Sequence, residues 1–154
     1  MIRRPPRSTL FPYTPHTYPH GDDAVDGVTV AQMTGMDPAK VFKTLVARGA
    51  SKTPYVFVIP VACELDLKKA AKAVGEKSIA MLHVSELTTL TGYVRGGCSP
   101  VGMKKQLRTV FASQALAQET ILVSAGKIGY QVEVAPQALI ALVRAATAEL
   151  TIES

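Results

Sequence analysis

Apolar and polar positions change their period several times along this chain, and each change marks an element. Val41 to Ala47 (VFKTLVA) is rich in branched and aromatic residues and predicts a strand. Tyr55 to Val61 (YVFVIPV) is almost continuously apolar, as in a strand buried on both faces, and Pro60 predicts its end. The period then lengthens. Leu67, Ala70, Ala71 and Val74 fall at i, i+3, i+4 and i+7, with Lys68, Lys69 and Lys72 on the other side. Asp66 as N-cap and Gly75 as the closing residue bound a helix over Leu67 to Val74. Val28 to Met36 predicts a short helix ended near Gly35, and Asp37-Pro38 then supplies a cap and a first-turn proline.

The second half is built from shorter pieces. Ser78 to Leu82 predicts a short strand, Ser85 to Leu90 a short helix, and Thr91 to Lys105 a structured glycine loop. Val110-Phe111, Thr120 to Ser124 and Tyr130 to Val134 predict strands, the last two joined by a hairpin-like turn over 125–129. Pro136 to Ala148 predicts an apolar C-terminal helix. This order lacks the regular alternation of a doubly wound parallel sheet. An α+β domain with a mixed, barrel-like sheet fits it. No internal repeat or low-complexity linker divides residues 15–154, which read as a single domain.

Composition narrows the picture. A length of 154 residues suits one domain, and 47% hydrophobic residues exclude wholesale disorder. No run approaches the ~18–20 apolar residues of a membrane span. Two cysteines make neither a disulfide scaffold nor a four-ligand zinc site, so the expected setting is the reducing cytoplasm. The net charge of +5 invites a nucleic-acid reading until its location is examined. Arg3, Arg4 and Arg7 lie in the first 14 residues, which hold no acid; without them 14 basic residues face 12 acidic ones. The same stretch carries Pro5, Pro6 and Pro12 and no apolar signal region. The string MIRRPPRSTLFPYT resembles translated sequencing-adapter read-through, with a natural tail or a basic arm as the alternatives. On the adapter reading, residues 1–14 are a non-native head and 15–154 are an N-terminally truncated domain.

Candidate chemistry is sparse. Cys98 sits in the glycine loop near Arg95, and Cys63 follows the buried strand, but no histidine motif marks a base for either. His16, His20 and His83 form no metal-ligand pattern, and nucleotide-binding loops are absent, so no metal or cofactor is expected. In Gly96-Gly97-Cys98-Ser99-Pro100 the backbone amides can face a carbonyl, carboxylate or phosphate, though a purely structural turn explains the pattern equally well. Lys104, Lys105 and Arg108 follow, offering charge to a phosphate backbone. Lys43 interrupts an apolar strand and, by alternation, shares a face with Val41 and Leu45. Such a lysine is either an edge-strand guard against aggregation or a cation facing a ligand.

The segments HTYPHGDD (16–23), DPAKVFKTLV (37–46), ELDLKKAAKAVGEK (64–77), TGYVRGGCSPVGMKK (91–105) and VSAGKIGYQVEV (123–134) together resemble the YbaK/EbsC family, relatives of the editing domain inserted in bacterial prolyl-tRNA synthetases. The resemblance runs from about residue 15 to the C-terminal helix. It implies a mixed, barrel-like sheet with surrounding helices. It also implies hydrolysis of a wrongly attached amino acid from the 3′ end of tRNA, most closely cysteine on tRNA(Pro) and then tRNA(Cys). The mechanism implied is attack by the substrate's own thiol. By resemblance, Lys43 is the family's functional lysine, followed by Thr44 of the same motif. Gly96 through Pro100 are the loop for the aminoacyl-adenosine end, Tyr18 and His20 belong to the N-terminal motif, and Ser124 and Gly126 to the hairpin. Glu133 falls at an acidic position and is expected to pair with Lys43. Tyr130 and Gln131 replace the Leu-Asp expected there, and Cys98 an aliphatic residue. Release of another amino acid such as alanine, or a non-catalytic binding role, are the alternatives. The partners implied are mischarged tRNA and prolyl-tRNA synthetase, with no membrane, for a monomer.

Overall fold

A computed structural model of the chain describes residues 13–19, 27–95, 97–103 and 106–152. Its strands are β1 (Thr14–Thr17), β2 (Phe42–Gly49), β3 (Pro54–Pro60), β4 (Ile79–Met81), β5 (Arg108–Ala112), β6 (Ile121–Ser124), β7 (Tyr130–Val134) and β8 (Ala146–Ala148). Its α-helices are α1 (Gly27–Thr34), α2 (Leu67–Val74), α3 (Val84–Thr91) and α4 (Pro136–Val143). The best-signalled element, α2, forms for the reasons its sequence states. Asp66 accepts from the backbone N–H groups of Lys68 and Lys69, Gly75 closes the helix in the left-handed conformation, and Ala70, Ala71 and Val74 are buried. Asp37 likewise caps a 3-10 turn over Pro38–Lys40 that delivers the chain into β2.

The larger sheet has the order β4-β2-β3-β5-β8. Its β2 is antiparallel to β3 and β4, while β3, β5 and β8 run parallel. The smaller sheet, β1-β7-β6, is antiparallel. The two meet where Val41, just ahead of β2, bridges Leu122 of β6 in the parallel sense. The strands therefore curl toward a barrel without closing into one, and the fold is α+β as its element order predicts.

Alternation along these strands divides the core. Phe42, Val46, Val56 and Val58 face one way and pack with Phe111, Ile121, Val123, Val134 and Leu139. Ala47, Phe57 and Ile59 face the other way, under Ala70, Ala71 and Val74 of α2. Val41, Val61 and Leu122 form a third cluster with Ala31 of α1. At the far end of the β2–β3 hairpin, Glu76 crosses so close over Gly49 that a Cβ there would stand 2.3 Å from its carboxyl carbon. Its carboxylate accepts from the Tyr55 hydroxyl at 2.6 Å and the Ser51 hydroxyl at 2.5 Å.

Two elements differ from expectation. Residues 14–17 form a strand despite Pro15, because β1 is an edge strand and a ladder can tolerate a proline there. Tyr13, just ahead of the 14/15 boundary, packs against the core. The C-terminal helix stops at Val143 rather than continuing to Ala148. Arg144 takes a left-handed conformation (φ 54°), its N–H returns to the Ile140 and Ala141 carbonyls, and the chain then pairs with β5 as β8. Pairing with an unfilled sheet edge outweighs alanine's helical preference there.

Leu122 is fully buried where the two sheets meet. Leu122→Ala should lower stability by about 2–5 kcal/mol, whereas Leu116→Ala, at a position 48% exposed, should change it by less than about 0.5 kcal/mol. Urea unfolding of both variants checks the contrast; equal losses would remove Leu122's special place.

Candidate functional site

The Val41–Leu122 bridge decides what can meet. Val41 and Leu122 face the same cluster under α1. Two residues further along each strand, Lys43 and Ser124 continue on that same face. Across the small sheet, Ser124 pairs in register with Gln131, and Gln131 with His16. Glu133 lies two residues beyond Gln131 and so shares its face. One polar face thus collects Lys43, Ser124, Gln131, His16 and Glu133 from four strands, while the other face of the small sheet holds Ile121, Val123 and Val134 in the core.

Glu133 is the hub of this face. Its carboxylate accepts from the Thr120 hydroxyl at 2.5 Å and His16 Nε2 at 2.9 Å, and pairs with the Lys40 ammonium at 3.1 Å. The Thr120 hydroxyl foremost, then Lys40 and His16, hold its carboxyl down from the usual 4.5 to about 2 against the opposing effect of burial. The expected pairing of Glu133 with Lys43 is therefore corrected: the 3-10 turn before β2 brings Lys40, not Lys43, to the acid. Lys43 is half-buried, and no carboxylate among the described residues lies within ion-pair distance of it.

The glycine loop comes to the hairpin as backbone against backbone. A Cβ on Gly97 would stand 3.0 Å from the Ile128 nitrogen and 3.2 Å from Lys127 Cα, so this approach requires glycine. Tyr93 locks both parts: its ring lies against Gly126, and its hydroxyl donates to the Val101 carbonyl. Ser99 and Pro100 are buried, and Ser99 Oγ accepts from the Val101 N–H at 3.2 Å. Tyr18 is buried, and its N–H donates to the Gly129 carbonyl at the hairpin's far side. The structure thus gathers Gly97 to Pro100, Ser124, Gly126 and Tyr18 around one turn.

Other expected residues lie elsewhere. Thr44 faces the opposite side of β2 from Lys43, with Phe42 and Val46, and its hydroxyl is buried without a partner. Arg108 pairs in register with Tyr55, at the other end of β3 from Ile59, the partner of Lys43, and its guanidinium donates to the Val74 carbonyl. His20, Gly96, Lys104 and Lys105 lie outside the described residues. Cys98 is buried in the main core, and burial pushes its thiol from 9.0 up to about 12, against a hydrogen bond with Thr91. That thiol stays protonated at neutral pH and carries no nucleophile. Among the described residues no cluster of His, Cys, Asp or Glu could hold a metal ion.

Residues 22–142 match the family model described as the aminoacyl-tRNA editing domain. The chain belongs to that family. A curated relative from Enterococcus faecalis (strain ATCC 700802 / V583), named "Putative Cys-tRNA(Pro)/Cys-tRNA(Cys) deacylase EbsC", is 46% identical over 140 residues, covering 91% of this chain and 85% of the relative. Among solved structures, one titled "Crystal structure of a putative trans-editing enzyme for prolyl tRNA synthetase" is 26% identical, with a TM-score of 0.81 over 92% of this chain and 87% of that one. The hypothetical protein APE2540, at 19% identity and a TM-score of 0.84 over 95% of both chains, shares the fold. The family match brings the expected motifs, including Lys43, the glycine loop and the hairpin, under one editing domain.

Three members of the hub escaped the sequence. His16 and Lys40 lie inside segments that carry the resemblance but were given no role in it, Thr120 lies outside them, and all three meet Glu133 across separations as large as 117 residues. The usable signal was an acid alternating with the core-facing Val132 and Val134, placed on the opposite face where partial burial calls for donors.

Glu133→Gln should cost about 1–2 kcal/mol at pH 7, since the Lys40 ammonium loses its partner's charge and the hydrogen bonds from Thr120 and His16 lose a charged acceptor. The folded pKa lies below the unfolded one, so this contribution is complete above pH 4.5 and is lost as the pH falls toward about 2. Urea unfolding at pH 7 and pH 3 should show the gap between wild type and Glu133→Gln narrowing at the lower pH. A gap that widens would contradict the charged hub.

Proposed function

We propose that this editing domain is a free-standing aminoacyl-tRNA deacylase that releases cysteine mischarged onto tRNA(Pro), and also acts on tRNA(Cys). The observation that carries the reading is Lys43, without an ion-pair partner among the described residues, on the face that alternation also gives to Ser124 and Gln131 of the hairpin on which Gly97 packs. The relative named for Cys-tRNA deacylation supports it at 46% identity.

The chemistry asks little of the protein. An aminoacyl ester is already activated, so placement and charge stabilisation suffice. The substrate's own thiol sulfur bonds to the ester carbonyl carbon, the carbon–oxygen ester bond breaks, and the thiol proton ends on the departing 3′ oxygen of the tRNA. Loop amides orient the ester carbonyl, and Lys43 steadies negative charge at the terminal nucleotide or the ester oxygen. A protein nucleophile is not required, in keeping with a Cys98 thiol that stays protonated.

Selection of the tRNA is assigned to prolyl-tRNA synthetase acting as partner. A charge near +2 outside the first 14 residues gives little surface for reading a nucleic-acid sequence. The domain works in this reading as a cytoplasmic monomer; among the described residues no helix is long and apolar enough to cross a membrane.

Lys43→Ala should lower deacylation of Cys-tRNA(Pro) by at least 100-fold, about 2.7 kcal/mol, with an unchanged urea midpoint, while Cys98→Ala should retain activity within a few-fold. Full activity in Lys43→Ala would sink the assignment. A panel of Cys-, Ala- and Pro-tRNA(Pro) should show release of cysteine alone; release of alanine would make this a deacylase of different specificity, and release of none would leave a binding protein.

A further inference from the structure

Gln131 is 6% exposed, and its side-chain oxygen Oε1 is buried without a hydrogen-bond partner among the described residues. A buried amide carbonyl left unpaired is costly, and native structures retain few of them without a reason. Its place gives one. Gln131 stands in register between His16 of β1 and Ser124 of β6, on the face shared by Lys43. The neighbouring acid cannot substitute for it as an acceptor, because Thr120, His16 and Lys40 already surround the Glu133 carboxylate. Lys43 offers donors only and Gln131 Oε1 an acceptor only. The face therefore presents one group for the acceptor side of a ligand and one for its donor side.

We propose that Gln131 Oε1 accepts a hydrogen bond from the free α-ammonium of the aminoacyl group, so that this residue reads an unblocked amine next to the ester. The inference rests on the deacylase reading and adds a specificity residue to it. An α-ammonium brings donors and no acceptor, matching an orphan carbonyl better than a ribose hydroxyl, whose lone pairs would also need partners. A neutral amide also holds the ammonium without placing a second carboxylate beside Glu133. Aminoacyl ends whose amine is acylated would lose this bond and be disfavoured.

The test uses adenosine carrying cysteine in a non-hydrolysable amide linkage at the 3′ position, with the amine either free or N-acetylated, and binding measured by calorimetry. Wild type should prefer the free amine by roughly tenfold or more. Gln131→Leu should bring the preference close to one, a result that also separates the lost hydrogen bond from the bulk of the acetyl group. Gln131→Glu, which keeps the shape and adds charge, should raise the preference and stands as the informative variant if Gln131→Leu does not fold. No preference in wild type, failure of the free-amine mimic to bind, a preference retained in Gln131→Leu, or one unchanged in Gln131→Glu would each overturn the proposal. Release of cysteine from Cys-tRNA(Pro) by wild type is scored separately. Its failure with the amine preference intact removes the deacylase reading alone; its success without the preference removes only the role of Gln131.

Discussion

The contact between Val41 and Leu122 is the constraint on which this molecule's chemistry depends. It is an isolated parallel bridge between two sheets that also share the main core from facing sides. Because successive side chains alternate, that bridge sets the phase of both strands at once. A slip of one residue would send Lys43 and Ser124 to opposite faces and would turn Val123 out of the core. Burial of Val41, Val61 and Leu122 under Ala31 pins the phase. The short helix α1, with little amphipathic character of its own, thus matters through what it covers.

On the polar face the acid is taken by Lys40 and His16, so that Lys43 has no ion-pair partner among the described residues. Glu133 draws Lys40, His16 and the Thr120 hydroxyl, and its carboxyl is held near 2. A carboxylate so fully engaged is a structural clamp between β1, β7 and the turn before β2. Had Glu133 instead paired with Lys43, the site would be neutralised from within. Half-buried and without an ion-pair partner among the described residues, Lys43 remains available to a ligand anion or polarised carbonyl. The same reasoning applies with opposite sign to Gln131, an acceptor without a donor.

The sequence was most readable where local and tertiary demands coincide. Asp66 and Gly75 bound α2 as expected, and the apolar run of β3 is buried along nearly its whole length. It was least readable where distant strands decide. β1 is brief and contains Pro15, so only its pairing with β7 makes it a strand. β8 is made of residues suited to helix and becomes a strand because the edge of β5 is open to it. The candidate site divides the same way. The glycine loop, Lys43 and the hairpin announce themselves through motifs, and all three lie within the residues that the family model matches. The partners of Glu133 and the orphan oxygen of Gln131 are consequences of register, which no local pattern encodes.

On the proposed reading, a domain this small acts without a nucleophile of its own. An activated ester leaves most of the barrier to be lowered by orientation, and orientation depends on stiffness. Here stiffness is concentrated at Tyr93. Its ring lies against Gly126 of the hairpin while its hydroxyl holds the Val101 carbonyl of the glycine loop, and the neighbouring Thr91 hydroxyl ties its N–H back to α3 through the Leu87 carbonyl. Gly97 meanwhile brings loop and hairpin main chains within contact. A loop fixed on two sides presents its amides in one arrangement, so little free energy is spent ordering it when a substrate arrives. Cys98 fits this account as a packing residue: its burial with Phe42 and Phe111 anchors the middle of the loop, and the burial that makes it a good anchor keeps its thiol protonated. The loop's rigidity and its lack of a thiolate are therefore two results of the same packing, which suits the proposed reading in which the reactive group comes from the substrate.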